Sequence, residues 1–164
     1  MNELVTVVKV GMADLNICHT GSIRTTGLGS CVGLTLFDPK THIAGMAHIM
    51  LPSSDIAREG SLNLAKYSDT AIPELLQVMM DAGASRSRLI AKMAGGAQMF
   101  AFSNGNDMMR IGPRNVETSK QILDKLGIPL VAEDTGGNYG RTIELRCDDG
   151  MLNIRSVQMG VKEI

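Results

Sequence analysis

The chain has 164 residues and a formal net charge of −1, with its 16 basic and 17 acidic side chains interspersed. Proteins that live by neutralising phosphates carry a basic excess on one face; no Lys/Arg run exists here, so a nucleic-acid partner is excluded as an expectation. No apolar run approaches the roughly 20 residues needed to span a bilayer, and the first residues lack a secretory signal, so no membrane insertion is expected.

Taken in chain order, residues 4–10 are β-branched and apolar and read as a strand, followed by a second short strand at 12–18. Residues 19–30 are dense in Gly, Ser and Thr and read as a loop. Residues 31–37 and 42–51 flank the turn sequence Asp38-Pro39-Lys40-Thr41 and form a β-hairpin. Period-two alternation puts His42, Ala44, Met46 and His48 on one face of its second arm. From Pro52 to Lys66 the chain is polar and Ser-rich and reads as a mobile surface loop over part of the site.

Residues 69–82 are expected to be helical, with Ile72, Leu75, Leu76 and Met79 as the apolar stripe, Pro73 in the first turn and Gly83 as the stop. Residues 88–94 form a strand, 113–126 a second helix ended by Gly127, and 130–132 another strand. A final hairpin joins 142–147 to 151–157 through Asp148-Asp149-Gly150. This order predicts an α/β (α+β) layered sandwich with a mixed β-sheet and two main helices, in a single domain over 1–164.

The stretch that carries chemistry is Thr25-Thr26-Gly27-Leu28-Gly29-Ser30-Cys31. A cysteine after a glycine-rich turn has backbone N–H groups nearby that can stabilise an oxyanion. The same partial positive charge is expected to lower its thiol pKa. The competing reading is a small buried hydrophobe at a strand start. His48, folded back by the hairpin, is placed to act as the base that a thiol nucleophile needs, or is a core histidine bonded to backbone. Cys18 and Cys147 follow no glycine-rich loop and read as packing. An odd count of three widely spaced cysteines argues against a disulfide framework and for reduced thiols in the cytoplasm. No Cys-x-x-Cys or His-x-x-x-His pair exists, so no metal is expected. Three further loops combine small and polar residues: Gly95-Gly96-Ala97-Gln98, Gly112-Pro113-Arg114-Asn115 and Asp134-Thr135-Gly136-Gly137-Asn138.

Five blocks of the sequence, T-x-G-L-G-S-C-V (25–32), G-M-A-H-I-M-L-P (45–52), K-M-A-G-G-A-Q-M-F (92–100), I-G-x-R-N (111–115) and A-E-D-T-G-G-N (132–138), resemble the CheD family of chemoreceptor glutamine deamidases. The resemblance implies a layered α/β fold like that of some bacterial toxin deamidases, and a Cys–His–Thr set: Cys31 as nucleophile, His48 as base and Thr25 as the orienting residue. The family position after that Thr is often Leu and here is Thr26, which leaves two adjacent threonines. Gly29 and Ser30 are expected at the oxyanion turn, and Gly27, Leu28, Gly95, Gly96, Asn115, Asp134, Thr135, Gly136 and Asn138 around a substrate or partner cleft. Also implied are methyl-accepting chemotaxis receptors as substrate, a CheC-type phosphatase as partner, and a reaction without a cofactor. Two other readings stand beside it. One is a regulator that acts by binding receptors and the phosphatase without catalysis. The other is a cysteine protease or transglutaminase-like enzyme, since all pass through a thioester.

Overall fold

The computed structural model describes residues 6–56, 62–99 and 110–164. Two five-stranded sheets stack face to face, and two helices cover the outer face of one of them. The layered α/β sandwich is as expected; its strands are divided between two mixed sheets rather than one. The first sheet has the order β1-β3-β8-β9-β10, with β1 (Val7–Lys9), β3 (Ser22–Leu28), β8 (Arg141–Arg146), β9 (Leu152–Ser156) and β10 (Gly160–Glu163). The second has the order β2-β5-β4-β6-β7, with β2 (Leu15–Cys18), β5 (Ile43–Ile49), β4 (Val32–Asp38), β6 (Ile90–Gly95) and β7 (Leu130–Thr135). All neighbours are antiparallel except β1–β3 and β6–β7.

The hairpin β4–β5 sits centrally in the second sheet and is buried on both faces, which its near-continuous apolar run encodes. Val32, Leu34, Leu36, Ile43, Ala47 and Ile49 face the helices, where α1 (Ser68–Asp81) and α2 (Ile111–Leu126) lay down Ile72, Leu75, Met79 and Leu123. The alternate positions Phe37, Ala44 and Met46 face the first sheet and meet Ile23, Ile143, Leu145 and Ile154. Two glycines set these approaches. A Cβ at Gly45 would meet Met79 and Leu75, and one at Gly33 would meet Ile143 and Leu28. The close packing of both layers on this hairpin therefore needs both.

Several boundaries differ from the sequence reading. The Gly/Ser/Thr stretch 19–30 holds the strand β3, because its Ile23, Thr25 and Leu28 turn inward against β8 while Arg24 and Thr26 face solvent. Register shifts between Thr25 and Leu28, where Gly27 takes φ +73°, a conformation open to glycine. The strand expected at 130–132 continues to Thr135 as the parallel partner of β6, so Asp134 and Thr135 lie on a strand rather than in a loop. β10 had no counterpart in the sequence reading; its four residues are all exposed and carry no alternation. α1 begins at Ser68, which leaves Pro73 inside the helix and beyond its first turn. Of the polar loop from Pro52 to Lys66, residues 57–61 lie outside the described residues, as do positions 4 and 5 of the first strand and Phe100. The described ends of that loop are anchored 3₁₀ turns. Ser54 bonds Asp69 of α1 through its N–H and its hydroxyl, and Asn63 caps the second turn.

The expectation of three reduced thiols is overturned. Cys18, at the end of β2, and Cys147, just after β8, are joined as a disulfide between the two sheets, and Cys31 alone is free. Sequence separation of 129 residues hid the pair. The Cys147 N–H donates to Gly21 O in the turn after Cys18, and this bond brings them together. Reduction is expected to lower stability by about 2–4 kcal/mol, read as a lower thermal midpoint in reductant. Thiol titration of the denatured chain should find one group before reduction and three after it.

Candidate active site

Cys31, His48 and Thr25 come from three strands at one end of the inter-sheet space. Pairing of β4 with β5 sets Gly33 opposite His48 and Val32 opposite Ile49. Cys31 thus falls diagonally beside His48 on the same, inward face. Such diagonal neighbours lie about 7–8 Å apart at the backbone, within reach of a long side chain. The first sheet contributes Thr25 from above. Thr25 is 2% exposed and His48 1%, whereas Cys31 keeps 8% and is flanked by the half-buried Gly29 and Ser30. Of the two adjacent threonines, strand alternation turns Thr25 inward and Thr26 out.

Hydrogen bonding fixes the histidine's tautomer. The Thr25 hydroxyl donates to the Val10 carbonyl at 2.8 Å, which uses its only proton. Its 2.7 Å bond to His48 Nδ1 must therefore be donated by the imidazole. Neutral His48 then carries its proton on Nδ1 and leaves a bare lone pair on Nε2. That nitrogen is buried and has no hydrogen-bond partner among the described residues, a state that buried polar atoms rarely tolerate without a functional reason. The His48 backbone is held on its other side by Ala13 and Asp14, through Ala13 N–H to His48 O at 3.1 Å and His48 N–H to Asp14 O at 2.9 Å.

Burial acts on both titrating groups. It pushes the Cys31 thiol up, only partly offset by the cysteine's own backbone N–H, and it pulls His48 down. The expected lowering of the thiol pKa is corrected accordingly: removal from water outweighs the local amide dipole. Both displacements favour the neutral forms, thiol and imidazole.

The turn that carries Cys31 is clamped through its carbonyls. Gly29 O accepts from Ala97 N–H at 2.9 Å and Cys31 O from Gly96 N–H at 2.8 Å. A Cβ at Gly95 would collide with the Cys31 carbonyl, and one at Gly96 with Val116 of α2. The Gly-Gly pair therefore allows β6 to lie against the turn that carries Cys31. Ser30 O is held from the other side by Asn115 Nδ2 at 2.9 Å, which also donates to Met50 O at 3.0 Å.

The remaining expected cleft residues divide. Leu28 is fully buried core. Gly27 opens on a cleft with Gly140, Thr142 and Arg155 on the first sheet, while Gly96, Thr135 and Gly136 border a separate groove along α2. Asp134 is engaged in ion pairs, with Arg141 at 3.1 Å and Lys162 at 2.9 Å, that tie β7 to the first sheet. Asn138 is exposed. His42 lies in the turn before β5 rather than on the arm, is exposed there and bonds Cys147 O through Nδ1 at 2.9 Å. Sequence reasoning missed Val10, whose carbonyl orients Thr25, and Gly33, whose missing side chain admits Ile143 beside His48. Neither carries a local signal, because each acts through what another strand brings to it. No group of three or more metal-ligating side chains and no helix long and apolar enough to cross a membrane occur among the described residues.

The chain as a whole resembles known proteins. The family model described as CheD chemotactic sensory transduction matches residues 50–156, just C-terminal to the three clustered side chains. Whole-chain relatives extend further. The chain is 57% identical over 161 residues to the chemoreceptor glutamine deamidase CheD of Halalkalibacterium halodurans, covering 96% of this chain and 98% of that one. It is 48% identical over 159 residues to the Bacillus subtilis protein of the same name, covering 96% of each. A crystal structure of a Neisseria meningitidis protein shows a weaker likeness, with 12% identity and a TM-score of 0.48 over 82% of this chain and 65% of that one. With a family model across most of its length and relatives of such identity end to end, the chain belongs to the CheD family.

Proposed function

We propose that this protein deamidates glutamine side chains of chemotaxis receptors, with Cys31 as nucleophile, His48 as base and acid, and Thr25 as the residue that orients His48. The observation that carries the reading is the buried, unpartnered Nε2 of His48, held in the base-competent tautomer by Thr25 on the inward face it shares with the one free cysteine. The names of the whole-chain relatives supply the substrate class, chemoreceptor glutamine.

The chemistry follows from the resting state. Nε2 takes the Cys31 proton as sulfur attacks the side-chain carbonyl carbon. The carbonyl electron pair moves to oxygen, and the oxyanion meets backbone N–H groups of the Gly29–Cys31 turn. Collapse breaks the C–N bond, and protonated His48 gives its proton to the departing ammonia, leaving a thioester. Water, deprotonated by the now neutral His48, cleaves the thioester to glutamate and restores the thiol. No step calls for a cofactor. Each turnover turns a neutral amide into a carboxylate, and the added charge within a packed helical bundle biases the receptor's signalling equilibrium. A CheC-type phosphatase that occupies the same cleft is proposed as the second partner, with inhibition of deamidation as its signature.

The test is mass spectrometry of a receptor cytoplasmic fragment after incubation with the protein, alongside released ammonia. Conversion of particular glutamines to glutamate supports the reading. Receptor binding without conversion or ammonia sinks it in favour of a non-catalytic regulator, and lysine-dependent cross-linking would point to transglutaminase chemistry instead.

Thr25→Val tests the orienting role. It keeps the shape but leaves the Nδ1 proton without an acceptor and frees the imidazole to turn, so kcat is expected to fall by about 10²-fold. Thr25→Ser, which restores the hydroxyl, should recover most of it. Equal rates for the valine and serine variants would remove the hydroxyl from the mechanism.

A further inference from the structure

Asn115 lies in the second turn of α2 and is completely buried. α2 reaches this position because Gly112 packs directly on the Ala97 carbonyl, where a Cβ would not fit. The carboxamide of Asn115 spends both amide protons on backbone carbonyls of two different strand ends. One is Ser30 O, immediately before the candidate nucleophile, and the other is Met50 O, two residues beyond His48. Its Oδ1 is buried and accepts nothing among the described residues. A buried asparagine whose acceptor is left empty while both donors are engaged is held in place for what it donates.

The consequence lies in the geometry of one peptide unit. Ser30 C=O and the Cys31 N–H belong to the same trans peptide plane and point in opposite directions. Pinning the carbonyl onto Asn115 therefore aims the Cys31 N–H away from α2. Among the described residues that N–H has no backbone acceptor. The flanking carbonyls, Gly29 O and Cys31 O, are fixed independently by Ala97 and Gly96. Asn115 is the one side chain among the described residues that holds the middle peptide.

We infer that Asn115 is a positioning residue for the deamidation: by anchoring the Ser30 carbonyl it orients the Cys31 N–H toward the oxygen that becomes negative when Cys31 attacks the substrate carboxamide. The inference rests on the deamidase reading. When the S–C bond forms, the carbonyl π pair moves to oxygen, and a donor already aimed at that oxygen stabilises it without reorganisation. Asn115 touches no reacting atom. Its removal lets the peptide rock and withdraws the donor from the transition state, while the substrate still binds.

Two readouts separate this role from a structural one. Deamidation needs the oxyanion; alkylation of Cys31 by iodoacetamide attacks a saturated carbon and develops none. Asn115→Ala is expected to lower kcat by about 10²-fold, the scale of losing one oxyanion donor. KM should stay within about threefold, and the alkylation rate of the fully ionised Cys31 thiolate within about twofold of wild type. Asn115→Asp keeps the shape but has no N–H to offer, so it should lose as much, and it decides the matter should the alanine variant not fold. A kcat within threefold of wild type in a folded variant overturns the inference. So does alkylation that falls in step with kcat, or failure of both variants to fold, since each assigns Asn115 to stability alone. A wild-type chain that deamidates nothing sinks the deamidase reading itself; an active wild type beside an undiminished Asn115→Ala sinks only this inference.

Discussion

Cys31→Ala is expected to lose receptor deamidation by at least about 10⁴-fold, the scale on which removal of a covalent nucleophile acts even when the rest of the machinery stays. The substitution removes one sulfur from a site that is 8% exposed at the edge of the inter-sheet core. A stability change of about 1 kcal/mol is the expected side effect, too small to account for a loss of that size. The variant should therefore fold, bind a receptor fragment with wild-type affinity, and release no ammonia from it. The comparison with Cys18→Ala sharpens the result. That cysteine is bonded to Cys147, so its loss should lower the thermal midpoint and leave the rate unchanged. A Cys31→Ala protein that still converts the same glutamines would show that the nucleophile lies elsewhere, and the roles of His48 and Thr25 would fall with it. A Cys31→Ala protein that is inactive and also fails to bind would mean that the thiol organises the cleft, and the chemical assignment would need the alkylation kinetics to stand.

How much of this was legible beforehand depends on whether a feature is local. The β4–β5 hairpin and both helices were readable because their signals lie within a dozen residues: an Asp-Pro turn between apolar runs, and apolar stripes stopped by Gly83 and Gly127. β3 carries no local strand signal, because its Gly, Ser and Thr content is ordinary turn composition. What makes it a strand is a neighbour, β8, more than a hundred residues later. The Cys18–Cys147 bond failed for the same reason. Within the site, Cys31 and His48 could be nominated from a glycine-rich turn and a hairpin. The proposed orienting role of Thr25 rests on a carbonyl of Val10 and a ring nitrogen of His48, both distant in sequence. Asn115 stood out only as a polar residue after Gly112-Pro113, and its two acceptors lie 85 and 65 residues upstream. The direction of the thiol pKa is not legible in the sequence, which displays the amide dipoles of a turn but not how much water the fold removes around it.

His48→Gln is expected to cost deamidation about 10³- to 10⁴-fold, since in the proposed reaction the same nitrogen serves as base in attack and as acid toward ammonia. Its pH behaviour follows from two opposite displacements. Burial lowers the His48 pKa below the ordinary value of 6.5, so the wild-type imidazole stays neutral, and active as a base, at pH values where an exposed histidine would be protonated. Burial raises the Cys31 thiol, so the neutral pair persists on the alkaline side as well. The rate should trace a broad bell whose limbs belong to the coupled pair: an acid limb below about 6.5 and an alkaline limb above the ordinary thiol range. The same shift reaches stability. The unfolded chain binds a proton at His48 more readily than the folded one, so stability contributed by the neutral imidazole is complete above about 6.5 and is lost as pH falls toward the depressed folded value. Denaturant midpoints measured across that window should fall with pH in wild type and flatten in His48→Gln. An acid limb at or above the pKa of a free imidazole, or equal slopes for the two proteins, would mean that His48 is charged at rest. Nε2 would then have no lone pair to receive the Cys31 proton.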